Sequence, residues 1–259
     1  MMVVLAFVFG LCIGSFLNVV IWRLPHEQSL NGRSHCPHCH HKLVWYDLLP
    51  LVSFVLQGRS CRYCKKLISF RYPLIEALVG FLFAGAIYVF PPGLFIDWVI
   101  FVKALVIIAV CVVVFVIDLE HYLILDKVVY TAASCVGVLL IIQSFLLGSF
   151  SPLISGILAA VGPFVVFWII WYISTGSWMG YGDVKFVALM GLMLGWPGII
   201  VALFLAFILG AIFGLTLILI GKKKLSSRLP FGTFLSLATV LSLFFSVQLW
   251  QGYWDIFLF

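Results

Sequence analysis

Residues 104–118 read ALVIIAVCVVVFVID, a run of fourteen apolar residues that ends at Asp118. Such a run is typical of a helix in a lipid bilayer, where the backbone must satisfy its own hydrogen bonds. An acid at the centre of a membrane helix costs about 2.5–3.5 kcal/mol on the insertion scale, so acids at such places usually serve a function. A second acid, Asp183, closes the sequence GYGD at 180–183 and precedes another apolar run. If these two acids meet, they form an aspartyl dyad.

The composition of the chain predicts a membrane protein. Of its 259 residues, 64% are hydrophobic and 9% are charged, whereas soluble domains contain about 25% charged residues. We therefore predict an all-α, polytopic membrane helix bundle with about eight transmembrane segments of about 20 apolar residues each. The predicted spans are 2–22, 73–90, 98–117, 128–148, 152–173, 184–195, 199–220 and 231–249. The sixth is short and ends at a GWPG breaker, which favours a half-span or a kinked hairpin.

Basic residues cluster in loops that this topology places on one side of the membrane. Eight of the fifteen Lys and Arg residues lie within 23–71, and four more lie within 222–228. Such clusters mark cytoplasmic loops, so the net charge of +6 reflects membrane topology rather than affinity for nucleic acid. With the N-terminus outside, both Asp118 and Asp183 are predicted at the cytoplasmic boundary.

Two Cys-x-x-Cys pairs, Cys36/Cys39 and Cys61/Cys64, lie in the first of these loops. Four thiolates with this spacing can close on one tetrahedral zinc ion, which would stabilise a loop too small to form its own core. A thiol redox pair and four free thiols are the alternatives. Disulfides are not expected in the reducing cytoplasm. Because four cysteines leave no open coordination position, we assign the zinc a structural role.

Two aspartates that share a proton can hydrolyse a peptide bond, since one acts as a base toward water and the other as an acid toward the carbonyl. The alternative for each residue is helix capping. Asp183 would be a plausible N-cap, whereas Asp118 lies at a helix C-terminus, where the helix dipole disfavours an anion. Asp126 is a weaker candidate for the dyad, expected in a solvated loop or at a cap. Lys185 is expected to snorkel to the interface.

Together these motifs resemble those of the type IV prepilin peptidase family. The resemblance rests on GSFLNVVIWRLP at 14–25, the four-cysteine loop, Asp118 after its apolar run, GYGDVK at 180–185 and PFGTF at 230–234, in that order. It implies a multi-pass enzyme of the bacterial cytoplasmic membrane. Such an enzyme cuts prepilins and pseudopilins after a glycine that follows a short basic leader, on the cytoplasmic face. It then N-methylates the new N-terminal residue with S-adenosylmethionine.

The resemblance also implies roles for individual residues. The catalytic pair maps onto Asp118 and Asp183. Asn18 and Glu76 are candidates for the methyl-donor site. The alternatives are helix packing for Asn18, and for Glu76 a position at the interface or a pair with Arg71.

The expected parts of the chain are a first transmembrane helix at 1–22, a cytoplasmic zinc loop associated with methyl transfer at 23–71, and a membrane protease bundle at 72–259. The implied processes are type IV pilus assembly, protein secretion and competence. The expected partners are prepilin and pseudopilin substrates and membrane lipid, with no nucleic acid.

The sequence departs from the family pattern at two places. Leu125 precedes Asp126 where the family often has proline, and Thr233 stands where proline is common. Three other functions compete with the implied one. They are an aspartyl peptidase without methyl transfer, a proton-coupled transporter that uses the two acids as a relay, and a zinc-stabilised scaffold for pilus assembly. Two acids at one membrane face and the lack of an inverted repeat argue against the transporter.

Overall fold

The computed structural model describes residues 1–221 and 229–257, with side chains described as far as residue 255. Within these ranges the chain is helical and contains no β-strand, which confirms the all-α prediction. The helices are α1 (Met2–Arg23), α2 (Val52–Leu56), α3 (Arg71–Val89), α4 (Phe95–His121), α5 (Asp126–Leu146), α6 (Ser151–Ile173), α7 (Tyr181–Leu194), α8 (Gly198–Leu219) and α9 (Phe231–Phe257), and a short 3₁₀ helix covers Trp45–Leu48. The basic cluster at 222–228, expected to anchor a cytoplasmic loop, lies outside the described residues.

Seven of these helices, α1, α3, α4, α5, α6, α8 and α9, are long and apolar enough to cross a membrane. The chain is therefore a multi-pass membrane protein. The exception among the predicted spans is α7, which has 14 residues. At 1.5 Å per residue it is about 21 Å long, less than the hydrocarbon core of about 30 Å. It corresponds to the predicted sixth span at 184–195, which we expected to be short.

The first compact unit comprises Met1–Pro92, in which α1 packs against α3. Gly14 is central to this contact, since a Cβ atom there would lie 2.7 Å from Cα of Glu76. Small residues four apart, here Gly10 and Gly14, allow two membrane helices to approach closely. This close packing places the last turns of α1 beside the start of α3, where the loop between them is held.

The second compact unit comprises Gly93–Phe259. In it α4 packs against α5 and α9, while α7 packs against α5, α6 and α9. The side chains of Val184, Phe186, Val187 and Met190 in α7 are fully buried. The short helix is therefore part of the core, and this packing fixes the position of Asp183 in its first turn. This division into two units is coarser than the three predicted parts, which remain a prediction.

Candidate functional site

Asp118 lies in the last turn of α4, which extends past the predicted end of the third span to His121. Its side chain is buried, with 4% of the residue exposed. One carboxylate oxygen, Oδ2, accepts two hydrogen bonds from Thr233, from the backbone N–H at 2.6 Å and from the side-chain hydroxyl at 3.0 Å. A desolvated carboxylate needs such donors, because burial without hydrogen bonds is costly.

The start of α9 reaches Asp118 because Gly232 has no side chain. A Cβ atom at Gly232 would lie 3.0 Å from both Cγ and Oδ2 of Asp118, and 2.8 Å from Cδ1 of Ile124. Contacts of 3.0 Å are tighter than nearly all Cβ contacts in proteins, so a larger residue would require the carboxyl or α9 to shift by a few tenths of an ångström. Glycine at this position therefore allows the close approach of α9 to the acid.

Asp183 is the third residue of α7, and Gly180 occupies the N-cap position. Asp183 is therefore not the N-cap of this helix, and the capping alternative was wrong in that form. Its carboxylate accepts a hydrogen bond from the backbone N–H of Gly180 and interacts electrostatically with Asp118. The structure thus brings together two acids that are far apart in the sequence.

Asp126, the weaker candidate for the dyad, forms an ion pair with Lys185. Its side chain is largely exposed, whereas the side chain of Lys185 is mostly buried. Lys185 also lies over the ring of Tyr181, with Nζ 5.1 Å from the ring centroid. The expectation that Lys185 snorkels stays a prediction, and the structure adds Asp126 as the partner of its charge. This pair joins the starts of α5 and α7 and leaves Asp118 as the acid that faces Asp183.

The four cysteines of the loop form a second candidate site. The sulfur atoms of Cys36, Cys39, Cys61 and Cys64 all lie within 4.8 Å of one another, and those of Cys36 and Cys64 are 3.9 Å apart. Tetrahedral zinc with Zn–S bonds of about 2.3 Å separates its sulfur ligands by about 3.8 Å. All four cysteines are free rather than disulfide-bonded. The donor set and its spacing therefore fit a structural zinc ion.

The same backbone turn holds each cysteine pair. The Cys36 N–H donates to the His41 carbonyl at 3.0 Å, and the Cys61 N–H donates to the Lys66 carbonyl at 2.9 Å. Burial opposes ionisation of Cys61, but hydrogen bonds from the backbone of Cys64 and Tyr63 and from the side chains of Cys36 and Cys64 outweigh it and lower the pKa of this thiol to about 7. In contrast, a backbone hydrogen bond from His41 favours the Cys39 thiolate, but burial and the neighbouring thiols of Cys36 and Cys64 outweigh it and raise the pKa of Cys39 to about 11.

Asn18 and Glu76 are buried in the first unit, with exposed fractions of 2% and 8%. The Asn18 side-chain amide donates to the Tyr72 carbonyl at 3.1 Å, while its oxygen, Oδ1, has no hydrogen-bond partner. Glu76 accepts the Leu51 N–H at 2.9 Å and the Ser15 hydroxyl. Glu76 thus connects the loop to both helices, while its role in methyl transfer stays a prediction.

Two charged residues that sequence reasoning missed organise the same loop. Arg23 is buried, and its guanidinium donates to four backbone carbonyls between residues 29 and 33. Asp47 is buried and accepts hydrogen bonds from Gln57 and Tyr63 while it pairs with Arg62. The only hint in the sequence is that Asp47 is one of two acids between residues 24 and 70.

Comparison with known proteins gives matches over nearly the whole chain. The model of a family described as "Bacterial Peptidase A24 N-terminal domain" matches residues 8–90, and that of the "Type IV leader peptidase family" matches residues 105–215. No solved structure matches the chain.

Three relatives carry the name prepilin leader peptidase/N-methyltransferase. The protein of Aeromonas salmonicida (strain A449) is 34% identical over 280 residues, which cover 96% of this chain and 92% of the relative. The protein of Bacillus subtilis (strain 168) is 32% identical and covers 93% of each chain. The protein of Myxococcus xanthus (strain DK1622) is 38% identical over 83% of this chain and 63% of the relative.

Proposed function

This chain belongs to the type IV leader peptidase family, and we propose that its two neighbouring aspartates, Asp118 and Asp183, catalyse the cleavage of prepilin leader peptides. The chain is a membrane protease that cleaves these leaders and N-methylates the products. The observation that carries the proposal is that Ile124 lies against both Gly182, the neighbour of Asp183, and Gly232, which adjoins the buried Asp118, so that the two acids interact electrostatically. Asp126 is a poorer partner, because Lys185 already neutralises it.

The cleavage follows the chemistry of an aspartyl dyad. The ionised carboxylate removes a proton from water, and the resulting hydroxide attacks the scissile carbonyl carbon. The protonated carboxyl donates its proton to the carbonyl oxygen, which gives a neutral tetrahedral diol. When the C–N bond breaks, the proton taken from water passes to the leaving amine, and the other acid recovers its proton from the diol. The products are a free carboxyl on the leader and a free amine on the pilin.

The site favours a substrate that enters from the cytoplasmic face of the bacterial inner membrane. Asp118 lies within one turn of the end of α4, and Asp183 lies in the first turn of α7. Basic residues favour the cytoplasmic side of a membrane, and the predicted topology places both aspartates at the cytoplasmic boundary. The substrates are prepilins and pseudopilins with basic leaders, cut after a glycine, as the sequence motifs imply. These substrates connect the enzyme with pilus assembly, protein secretion and competence.

A zinc ion held by Cys36, Cys39, Cys61 and Cys64 stabilises the loop. Beyond this cluster, polar contacts within the loop come from Arg23, from the backbone and from Asp47 with its partners. Since four thiolates fill the coordination shell of zinc, the ion leaves no position for water or substrate. Its role is therefore structural, and cleavage by the two aspartates does not involve it.

Methyl transfer takes place in the N-terminal unit, near Asn18 and Glu76. S-adenosylmethionine, when bound, supplies the methyl group. The buried Oδ1 atom of Asn18 has no partner, which fits an acceptor for a ligand donor because such atoms are rarely left unsatisfied. The Glu76 carboxylate lies in the same unit, where it would attract a cationic group and orient the new amine. These two residues would therefore hold the donor and the product N-terminus.

The experiment that tests the function is an intact-mass measurement on a leader-bearing prepilin after incubation with purified enzyme. We expect loss of the leader and gain of one methyl group. Cleavage without the methyl group would favour the alternative of a peptidase that lacks methyl transfer. An unchanged substrate would contradict the assignment. The transporter and scaffold alternatives have no support, because the chain aligns with peptidases over 93–96% of its length.

A further inference from the structure

The structure treats the two aspartates differently. Oδ2 of Asp118 receives two donors from one residue, the N–H and the hydroxyl of Thr233. Asp183 receives one donor, the Gly180 N–H. The repulsion between the two carboxylates is mutual and does not distinguish them, whereas hydrogen bonds donated to a carboxylate favour its ionised form, and Asp118 receives more of them. The geometry therefore distinguishes which acid holds the shared proton.

The donor at Thr233 belongs to a helix N-terminus. Thr233 is the third residue of α9, and the first N–H groups of a helix have no partner within the helix. The Thr233 N–H is thus available to Asp118 without loss of a helical hydrogen bond. The positive end of the α9 dipole also favours an anion at this point. Gly232 brings this end within reach of the buried carboxylate.

Few other charges act on the two acids among the described parts of the packed helices. Glu120 and His121 follow Asp118 on α4, and α5 contributes the exposed Lys127 together with Asp126. Asp126 is paired with Lys185 of α7. The described residues of α6 and α8 carry no charge, and the described side chains of α9 carry none until Asp255 at the far end. Thr233 is thus the residue whose hydrogen bonds make the environment of Asp118 different from that of Asp183.

We propose that Thr233 is a positioning residue that keeps Asp118 ionised, so that Asp118 removes the proton from water and Asp183 donates its proton to the scissile carbonyl. This rests on the proposed dyad and specifies its two roles. In the first step the water proton moves to the Oδ1 side of Asp118, the new C–O bond forms, and the proton of Asp183 goes to the carbonyl oxygen. In the second step Asp118 passes its proton to the leaving amine and Asp183 takes one proton back from the diol.

The test is the pH profile of prepilin cleavage for variants at Thr233. Thr233→Val removes the hydroxyl at nearly constant shape and keeps the backbone N–H. We expect Thr233→Val to move the acidic limb to higher pH by about one unit, which is about a tenfold loss of rate on that limb. Thr233→Ser keeps both donors and should restore the wild-type profile.

Ser236→Ala provides the matched control, because the Ser236 hydroxyl donates to the Thr233 carbonyl rather than to Asp118. Its acidic limb should coincide with that of the wild type. A uniform loss of rate in Thr233→Val at every pH, or a failure of Thr233→Ser to restore the profile, would overturn the proposal. The dyad itself would be contradicted if Asp118→Asn cleaved the prepilin as fast as the wild-type enzyme. Failure of the dyad is therefore distinguishable from failure of the role proposed for Thr233.

Discussion

Replacement of Gly232 by alanine is expected to slow prepilin cleavage about tenfold while the protein remains folded. The added Cβ would lie 3.0 Å from Cγ and Oδ2 of Asp118 and 2.8 Å from Cδ1 of Ile124. Ile124 Cδ1 is the end of a flexible side chain and can move aside, but Thr233 holds the carboxylate, so the acid or the start of α9 must shift by a few tenths of an ångström. Misplacement of a catalytic group by about 1 Å costs about a hundredfold in rate, so this smaller shift is expected to cost about tenfold. Overpacking destabilises a protein by about 1–3 kcal/mol, which a folded enzyme can tolerate.

The assay is single-turnover cleavage of a leader-bearing prepilin, with thermal unfolding of each variant measured in parallel. Gly252→Ala is the matched control, since Gly252 lies in the same helix and a Cβ there would meet nothing within 4 Å. Gly252→Ala should cleave at the wild-type rate. If folded Gly232→Ala also kept most of the wild-type rate, the close approach of α9 to Asp118 would not matter for catalysis, and this reasoning would be refuted.

Two further predictions concern the N-terminal unit. Metal analysis should find about one zinc per chain, and Cys61→Ser should release it. Cys135→Ser removes an exposed cysteine of α5 and should leave the zinc bound. Pure protein without metal would reject the site. Glu76→Gln should give a correctly cleaved pilin that lacks the methyl group, because the amide can still accept the Leu51 N–H but carries no charge. A fully methylated product, or no cleavage at all, would remove Glu76 from the methyl-transfer role.

The sequence predicts the chemistry of the candidate sites better than their contacts. Asp118 and Asp183 stand out because acids are rare beside apolar runs, and the cysteine pairs stand out by their spacing. Periodicity and hydropathy also predict the helices, since a membrane helix must satisfy its own backbone. The boundaries are less certain: α4 begins at Phe95 and continues to His121, so Asp118 lies inside the helix and not beyond it.

The interactions that position the site depend on tertiary packing, which one sequence does not reveal. Thr233 lies 115 residues from Asp118, and Lys185 lies 59 residues from Asp126, so local patterns carry no sign of either contact. Likewise, Glu76 looks like an interfacial acid by its place in the helix. Its burial follows from the close α1–α3 packing at Gly14.

The central claim is that Asp118 and Asp183 form the catalytic pair, and intact mass of a prepilin after incubation with three variants tests it most directly. Asp118→Asn and Asp183→Asn should each leave the prepilin uncut although the protein inserts and folds, because either change removes one half of the proton transfer. Asp126→Asn should still release the leader, since that acid only pairs with Lys185 and exposed ion pairs contribute about 0–1 kcal/mol. Normal cleavage by Asp118→Asn together with an inactive Asp126→Asn would contradict the account.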